Sequence, residues 1–352
     1  MKRLLLISPV LYGIEKHIND ALQKKGFEVT WIENKILPFD YQSPDAKLRS
    51  LRRTFYALTF KKEQHIKKQL STIDNLNFDV LLSINCHVLC SCLIRKLRNR
   101  NKNIKTILYL WDSTNKFSCL KTTELFDRVF TFDHDDSKKH NWDYIPNFFI
   151  KNEDSQNKNH KYDLLFVGKF TEHRLKLLDE IIDKQLVSRP FKYYIKLLPA
   201  YKNSLHSYLL YLAIKRFREK NKWICDYTLN YEAITRKLNH EYLIYKPVSP
   251  ETVVKKRAQS KVIIDLPFPD QSGYTHNAIA ALALGKKLIT TNNRIRNEEF
   301  YNPDQVKIID QNNPEVDYSW IKEKGEFSIH PYFEKLEMSN WLSLIVNGNK
   351  AS

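Results

Sequence analysis

Glycine is scarce in this chain, at seven of 352 residues. No flexible linker of low complexity and no solenoid repeat can be read from it. Long apolar runs are missing too. No stretch approaches the roughly 20 residues that a membrane-spanning helix needs. The opening MKRLLLISPV has the charged tip and apolar run of a secretion signal. No small-residue cleavage site follows, and Glu15 and Lys16 interrupt the run, so a first β-strand is expected there instead. Cysteine is limited to an odd five (Cys86, Cys90, Cys92, Cys119, Cys225). Without an export signal, that usage predicts reduced thiols and a cytoplasmic chain, peripheral to a membrane at most. Three of the five crowd around His87, yet no second ligand pair stands at a zinc-site spacing, and no metal cofactor is expected. Acidic residues are outnumbered 40 to 57, for a net charge of +17. Such a field draws phosphate-bearing substrates, anionic lipid or nucleic acid. No helix-turn-helix spacing, zinc finger or aromatic RNP run is present, so nucleic acid is not the expected partner.

What is present alternates in the manner of an α/β protein. RLLLISP (3–9) reads as a strand, Glu15 to Lys25 as a helix stopped by Gly26, and FEVTWIE (27–33) as a second strand. FDVLLSI (78–84), IKTILYLW (104–111) and FDRVFTFD (126–133) continue the series. Their near-continuous apolar character marks strands buried on both faces of a parallel sheet. The polar run KNEDSQNKNHK (151–161) is the best linker. A second series opens after it with YDLLFVG (162–168), FKYYIKLL (191–198), SKVIIDL (260–266), KKLITT (286–291) and VKIID (306–310). The expected organisation is a Rossmann-like domain over 1–150, a second over 161–330, and a C-terminal helix within 331–352 that returns to the first. Two such halves facing across a cleft form the GT-B plan, in which ligands bind at strand C-terminal ends.

Two loops of the second half are candidates for binding a phosphate. Gln271, Ser272, Gly273, Tyr274 and Thr275 lead from a strand into a helix that Gly285 ends. A helix N-terminus gathers unpaired N–H groups and the positive end of the dipole, which suits a diphosphate and equally an ordinary capped helix. Gly168, Lys169 and Arg174 follow the first strand of the same half, where a cation could neutralise a leaving diphosphate. Arg174 reads equally as a solvated residue of the next helix. In the first half, Asp112 follows ILYLW and is expected to project toward the cleft, either as a general base or as a loop-ordering cap. Glu15 is a weaker candidate for the base. Asp133-His134-Asp135-Asp136 resembles a metal-binding DxD run, but its position after a strand favours a helix cap. Residues 47–68 and 204–223 are basic segments with interleaved apolar residues, suited to an anionic membrane surface or to a solvated face over a core stripe.

From about residue 75 onward the chain resembles a family of bacterial lipopolysaccharide and capsule glycosyltransferases with the GT-B fold. The blocks that carry the resemblance are YLWDS (109–113), FDRVFTFDHDDSKKH (126–140), YIPNFF (144–149), YDLLFVGKFTEHR (162–174), YKPVSPETVVKKRAQSKVIIDLPFPDQSGYT (245–275), ALGKKLITTN (283–292) and EFYNP (299–303). The resemblance implies sugar transfer from a nucleotide donor to a surface glycan or its lipid-linked precursor. It places Pro247 beside the nucleotide base. The family pattern also carries a basic residue and a glutamate in the donor helix, where this chain has Asn277 and Ala280. That departure keeps a catalytically silent homologue, acting as an assembly partner, as the alternative.

Overall fold

The computed structural model describes residues 1–10, 13–33, 71–85, 90–114, 120–151, 160–186, 191–199, 211–212, 231–232, 234–236, 240–268, 271–323, 325 and 327–347. In chain order the first half comprises β1 (Lys2–Ser8), α1 (Ile14–Lys24), β2 (Phe27–Glu33), β3 (Val80–Ile84), α2 (Cys90–Arg100), β4 (Lys105–Leu110), β5 (Arg128–Thr131), α3 (His134–His140) and β6 (Asp143–Tyr144). The second half comprises β7 (Tyr162–Lys169), α4 (Glu172–Leu186), β8 (Tyr193–Leu198), α5 (Pro250–Ala258), β9 (Ser260–Asp265), α6 (His276–Ala283), β10 (Lys287–Thr290), β11 (Val306–Ile308) and α7 (Tyr318–Lys322). Helix α8 (Met338–Asn347) follows.

Local chemistry sets the boundaries of these elements. Ile18 and Leu22 bury one face of α1, and Gly26, at φ 86°, takes the left-handed turn that ends it. Gly285 does the same after α6 at φ 60°. The central strands β1, β3, β4 and β9 bury nearly every side chain, as strands covered on both faces must.

All strand pairs are parallel. The first sheet runs β2-β1-β3-β4-β5-β6 and the second β11-β10-β9-β7-β8. Each sheet therefore reverses its strand order beside its first strand, between β1 and β3 and between β7 and β9. A crevice opens at the carboxyl ends of the strands at such a switch point. These are two Rossmann-like domains of the GT-B plan. YLIYK, strand-like by composition, is no strand: Leu243 makes a single bridge to Leu197, and Tyr245, Lys246 and Pro247 are exposed.

Helix α8 packs against α1 and β4 of the first domain. Trp341, fully buried, meets the Tyr109 ring edge-on at 4.6 Å and donates from Nε1 to the Pro146 carbonyl at 3.0 Å. Burying such a ring contributes on the order of 4–6 kcal/mol at about 25 cal/mol/Å². One apolar cluster runs through both halves, joining Phe130, Phe132 and Phe148 to Tyr274, Ile279 and Leu288. No helix among the described residues is long and apolar enough to cross a membrane. The basic segment 47–68, nearly all of 204–223, and Cys86, Cys119 and Cys225 lie outside the described residues.

Candidate functional site

The floor of the cleft on the first-domain side is set by Asn85, just beyond β3. It is a buried non-glycine residue at φ 47°, a conformation that asparagine tolerates better than most. Its Oδ1 accepts the Trp111 N–H at 2.9 Å and its Nδ2 donates to Asp112 Oδ2 at 2.6 Å. One amide thus fixes both the end of β4 and the orientation of the half-buried Asp112 carboxylate. Glu15, by contrast, sits in the first turn of α1 and accepts the Gly13 N–H at 3.2 Å.

Across the cleft stands the N-terminus of α6. Thr275 caps it, its hydroxyl accepting the Asn277 N–H at 3.0 Å. His276, the first helical residue, places Nδ1 2.9 Å from the Phe148 carbonyl. A carbonyl can only accept, so Nδ1 carries the proton and Nε2 is bare. Burial pulls the His276 pKa down to about 4; the Phe148 carbonyl and the Asp112 charge oppose that shift and Arg257 adds to it. His276 is therefore neutral near pH 7, and the field of Asp112 reaches it. Arg257, from the last turn of α5, donates to Asn277 Oδ1 at 2.6 Å, while Asn277 Nδ2 donates to the Val167 carbonyl at 3.2 Å. The Nε atom of Arg257 is buried without a hydrogen-bond partner among the described residues. Burial lowers this guanidinium's pKa to about 10, opposed by Asp265. It remains charged.

Asp265 ends β9 and is 1% exposed. It accepts hydroxyl bonds from Thr275 at 2.5 Å and Thr290 at 3.0 Å. Burial raises its pKa; the two hydroxyls, Arg174 and Arg257 act in the opposite direction. Nothing in the local sequence marks this residue, or Arg257 and Asn85, because their partners come from elements distant in sequence.

The residues singled out by sequence fall into distinct environments. Arg174 is neither solvated nor aimed into open space. It is 8% exposed, donates from Nε to the Leu266 carbonyl at 2.9 Å and from Nη1 to the Lys169 carbonyl at 3.0 Å, and lies 4.3 Å above the Phe268 ring. It staples the β7 and β9 loops together at the switch point. Lys169 is exposed and Gly168 half-buried. Pro247 is exposed ahead of α5, and no hydrogen bond among the described residues joins it to the other loops.

Gln271 and Ser272 line a polar depression of about 330 Å³, with Phe268, Asn292, Arg294 and Asp135 on its walls. The rest of that loop is closed off. Gly273 packs so tightly on the first domain that a Cβ would lie 2.2 Å from the Phe132 carbonyl oxygen. Tyr274 is buried, its hydroxyl donating to Glu298 at 2.6 Å. At Gly273 the absence of a side chain lets the first domain's backbone approach closely.

The acidic run at 133–136 is fully engaged. Asp133 caps α3, Asp135 pairs with Arg294 at 2.9 Å, and Asp136 accepts the Thr114 N–H at 2.7 Å. Among the described residues no group of His, Cys, Asp and Glu could hold a metal ion. The far rim of the cleft is bridged by the contact of His17 Nε2 with Glu251 Oε1 at 3.0 Å.

No family model and no curated protein matches the chain. Among solved structures it is similar to a UDP-N-acetylglucosamine 2-epimerase, at 13% identity over 99% of this chain and 98% of that one, with a TM-score of 0.49. It is similar to the N-terminal domain of Candida albicans trehalose-6-phosphate phosphatase at 12% identity over 99% and 96%, TM-score 0.49. It is also similar to the apo form of the lipopolysaccharide outer core galactosyltransferase WaaB at 12% identity over 82% and 80%, TM-score 0.36. Likeness at these levels describes the path of the chain and decides neither activity nor substrate.

Proposed function

We propose that the protein is a glycosyltransferase that moves a sugar from a nucleotide donor to a glycan or lipid-linked glycan acceptor. One observation carries the reading. The carboxyl ends of the two sheets meet, and the oriented carboxylate of Asp112, just beyond β4, lies near enough to the Arg257-backed N-terminus of α6 for its charge to act on His276. The diphosphate lies against the first turn of α6, where the helix dipole favours an anion and the Arg257 guanidinium adds a charge from behind. Lys169, at the end of β7, screens it from solvent. Asp112, held by Asn85, accepts the proton of the acceptor hydroxyl as that oxygen attacks the anomeric carbon. The bond from that carbon to the diphosphate breaks, and the nucleotide departs toward α6. His276, neutral by burial, keeps a competing positive charge away from the Asp112 carboxylate.

The resemblance to lipopolysaccharide and capsule transferases supports a surface-glycan acceptor, and the net charge of +17 supports work on the inner face of an anionic membrane. No metal is needed in this scheme, since a helix N-terminus and guanidinium take the charge. A second reading, a silent homologue, is favoured by Ala280, which sits in the apolar cluster at 2% exposure, so no side chain reaches the cleft from that position. Purified protein incubated with a panel of nucleotide sugars and a membrane extract of lipid-linked glycans separates the two. The proposed function requires donor-dependent nucleotide release and labelled glycan; nucleotide binding with no turnover on any donor would establish the silent homologue.

A further inference from the structure

The segment that leads into α6 belongs to the second domain by sequence, yet the first domain holds it. The Asp133 carboxylate accepts Ser272 N–H at 2.8 Å and Gly273 N–H at 3.3 Å through Oδ2, and the Ser272 hydroxyl at 2.6 Å through Oδ1. Asn147 Nδ2 donates to the Tyr274 carbonyl at 3.1 Å, and His276 Nδ1 donates to the Phe148 carbonyl. Of the five residues 272–276, Tyr274 and Thr275 direct their side-chain hydroxyls to their own domain, onto Glu298 and Asp265. Asp133 is 1% exposed, so these bonds are formed out of water, where bonds to a charged acceptor are strongest.

The two oxygens of Asp133 divide their work. Oδ1 caps α3, accepting Asp135 N–H at 3.0 Å and Asp136 N–H at 3.2 Å. Oδ2 serves the two N–H groups of the other domain alone. A helix cap needs one oxygen, and asparagine caps as well as aspartate. The second oxygen has a different use.

We propose that Asp133 is a cross-domain positioning residue: it shapes the 272–275 segment from the first domain, so that the donor subsite at the start of α6 is complete only when the two domains are docked. The nucleotide part of this rests on the transferase reading above; the positioning itself does not. On this account the edge formed by β5, α3 and residues 272–276 is the fixed side of the cleft. The other rim holds together through the solvent-exposed pair of His17 and Glu251, with Gly13 against Pro250, and is the side able to open.

Asp133→Asn tests this directly. The amide keeps an oxygen for the α3 cap but turns an N–H₂ group toward the Ser272 and Gly273 donors. Hydrogen exchange resolved to single amides should rise at least tenfold at Ser272 and Gly273 while the Asp135 and Asp136 amides stay protected. Affinity for whichever of UDP, GDP, ADP, TDP and CMP binds the wild-type chain best should fall at least tenfold. Unchanged exchange at 272–273 overturns the positioning role, and raised exchange with unchanged affinity overturns its link to the donor subsite. If no nucleotide binds the wild-type chain, the donor-subsite link fails together with the proposed function, and the exchange result alone decides the positioning. Should Asp133→Asn not fold, Ser272→Ala removes only the hydroxyl's bonds, and exchange at Gly273 should rise about threefold; no rise there overturns the proposal.

Discussion

Replacing Gly273 by alanine puts a methyl group where the first domain's backbone already is. The added Cβ would stand 2.2 Å from the Phe132 carbonyl oxygen and 2.7 Å from its Cδ2. The first of these is main chain at the end of β5, which cannot swing aside as a side-chain tip would. Overpacking of this kind costs about 1–3 kcal/mol. The displacement also stretches the Ser272 and Gly273 N–H bonds to Asp133, and losing one bond to a charged acceptor costs roughly 1.5–3 kcal/mol. The sum, roughly 2.5–6 kcal/mol, should appear as a lower urea midpoint followed by intrinsic fluorescence. Gly26→Ala is the matched control. A Cβ there meets nothing within 4 Å, so only the left-handed φ of 86° resists it. That strain is worth about 1–2 kcal/mol. If Gly273→Ala costs no more than Gly26→Ala, the interdomain contact is not what requires a glycine at 273, and the packing argument fails.

Three further outcomes are expected. Asp265→Ala leaves two threonine hydroxyls without their acceptor and two buried guanidiniums without a nearby counter-charge, and should destabilise the fold by about 3–5 kcal/mol in urea titration; a change under about 1 kcal/mol would show that Asp265 is not a structural hub. His276 has its folded pKa lowered to about 4 from the usual 6.5, so the unfolded chain binds the extra proton between those values. Stability is therefore intact above about pH 6.5 and falls as pH drops toward 4, by up to roughly 3 kcal/mol, and His276→Gln should flatten that part of the urea-midpoint profile. Asp112→Asn keeps the bond to Asn85 in some form but cannot take a proton. Turnover should fall by about 10²–10⁴ with nucleotide affinity held, and a variant retaining full rate would remove Asp112 as the base.

The strands of both sheets were legible because parallel strands are covered on both faces and announce themselves as apolar runs; YDLLFVG and SKVIIDL became β7 and β9 with small changes at their ends. Gly26 and Gly285 were legible because a left-handed turn after a helix favours that residue. YLIYK has the aromatic and β-branched composition of a strand, yet the chain turns there and exposes Tyr245 and Lys246. What could not be read was the meeting of distant loops. Arg174 finds its partner at Leu266 and Asp133 finds Ser272, each pair far apart in sequence and joined only by the topology. The same holds for Gly273: local pattern shows that a glycine precedes a helix, but only the docked first domain shows what it makes room for. Asp133 as a helix cap was legible from its place after a strand, whereas its second oxygen was not.

The central claim is that the cleft between Asp112 and the N-terminus of α6 holds a nucleotide-sugar donor. Calorimetric titration of the purified chain with UDP, GDP, CMP, TDP and ADP at moderate salt tests it most directly, with Arg257→Gln titrated beside the wild type. One nucleotide should bind in a saturable one-to-one isotherm, clearly ahead of the rest, and at least tenfold weaker in Arg257→Gln. Weak binding of every nucleotide, shrinking together as salt is raised and indifferent to Arg257, would mean that a basic surface is collecting anions, and would contradict the donor site.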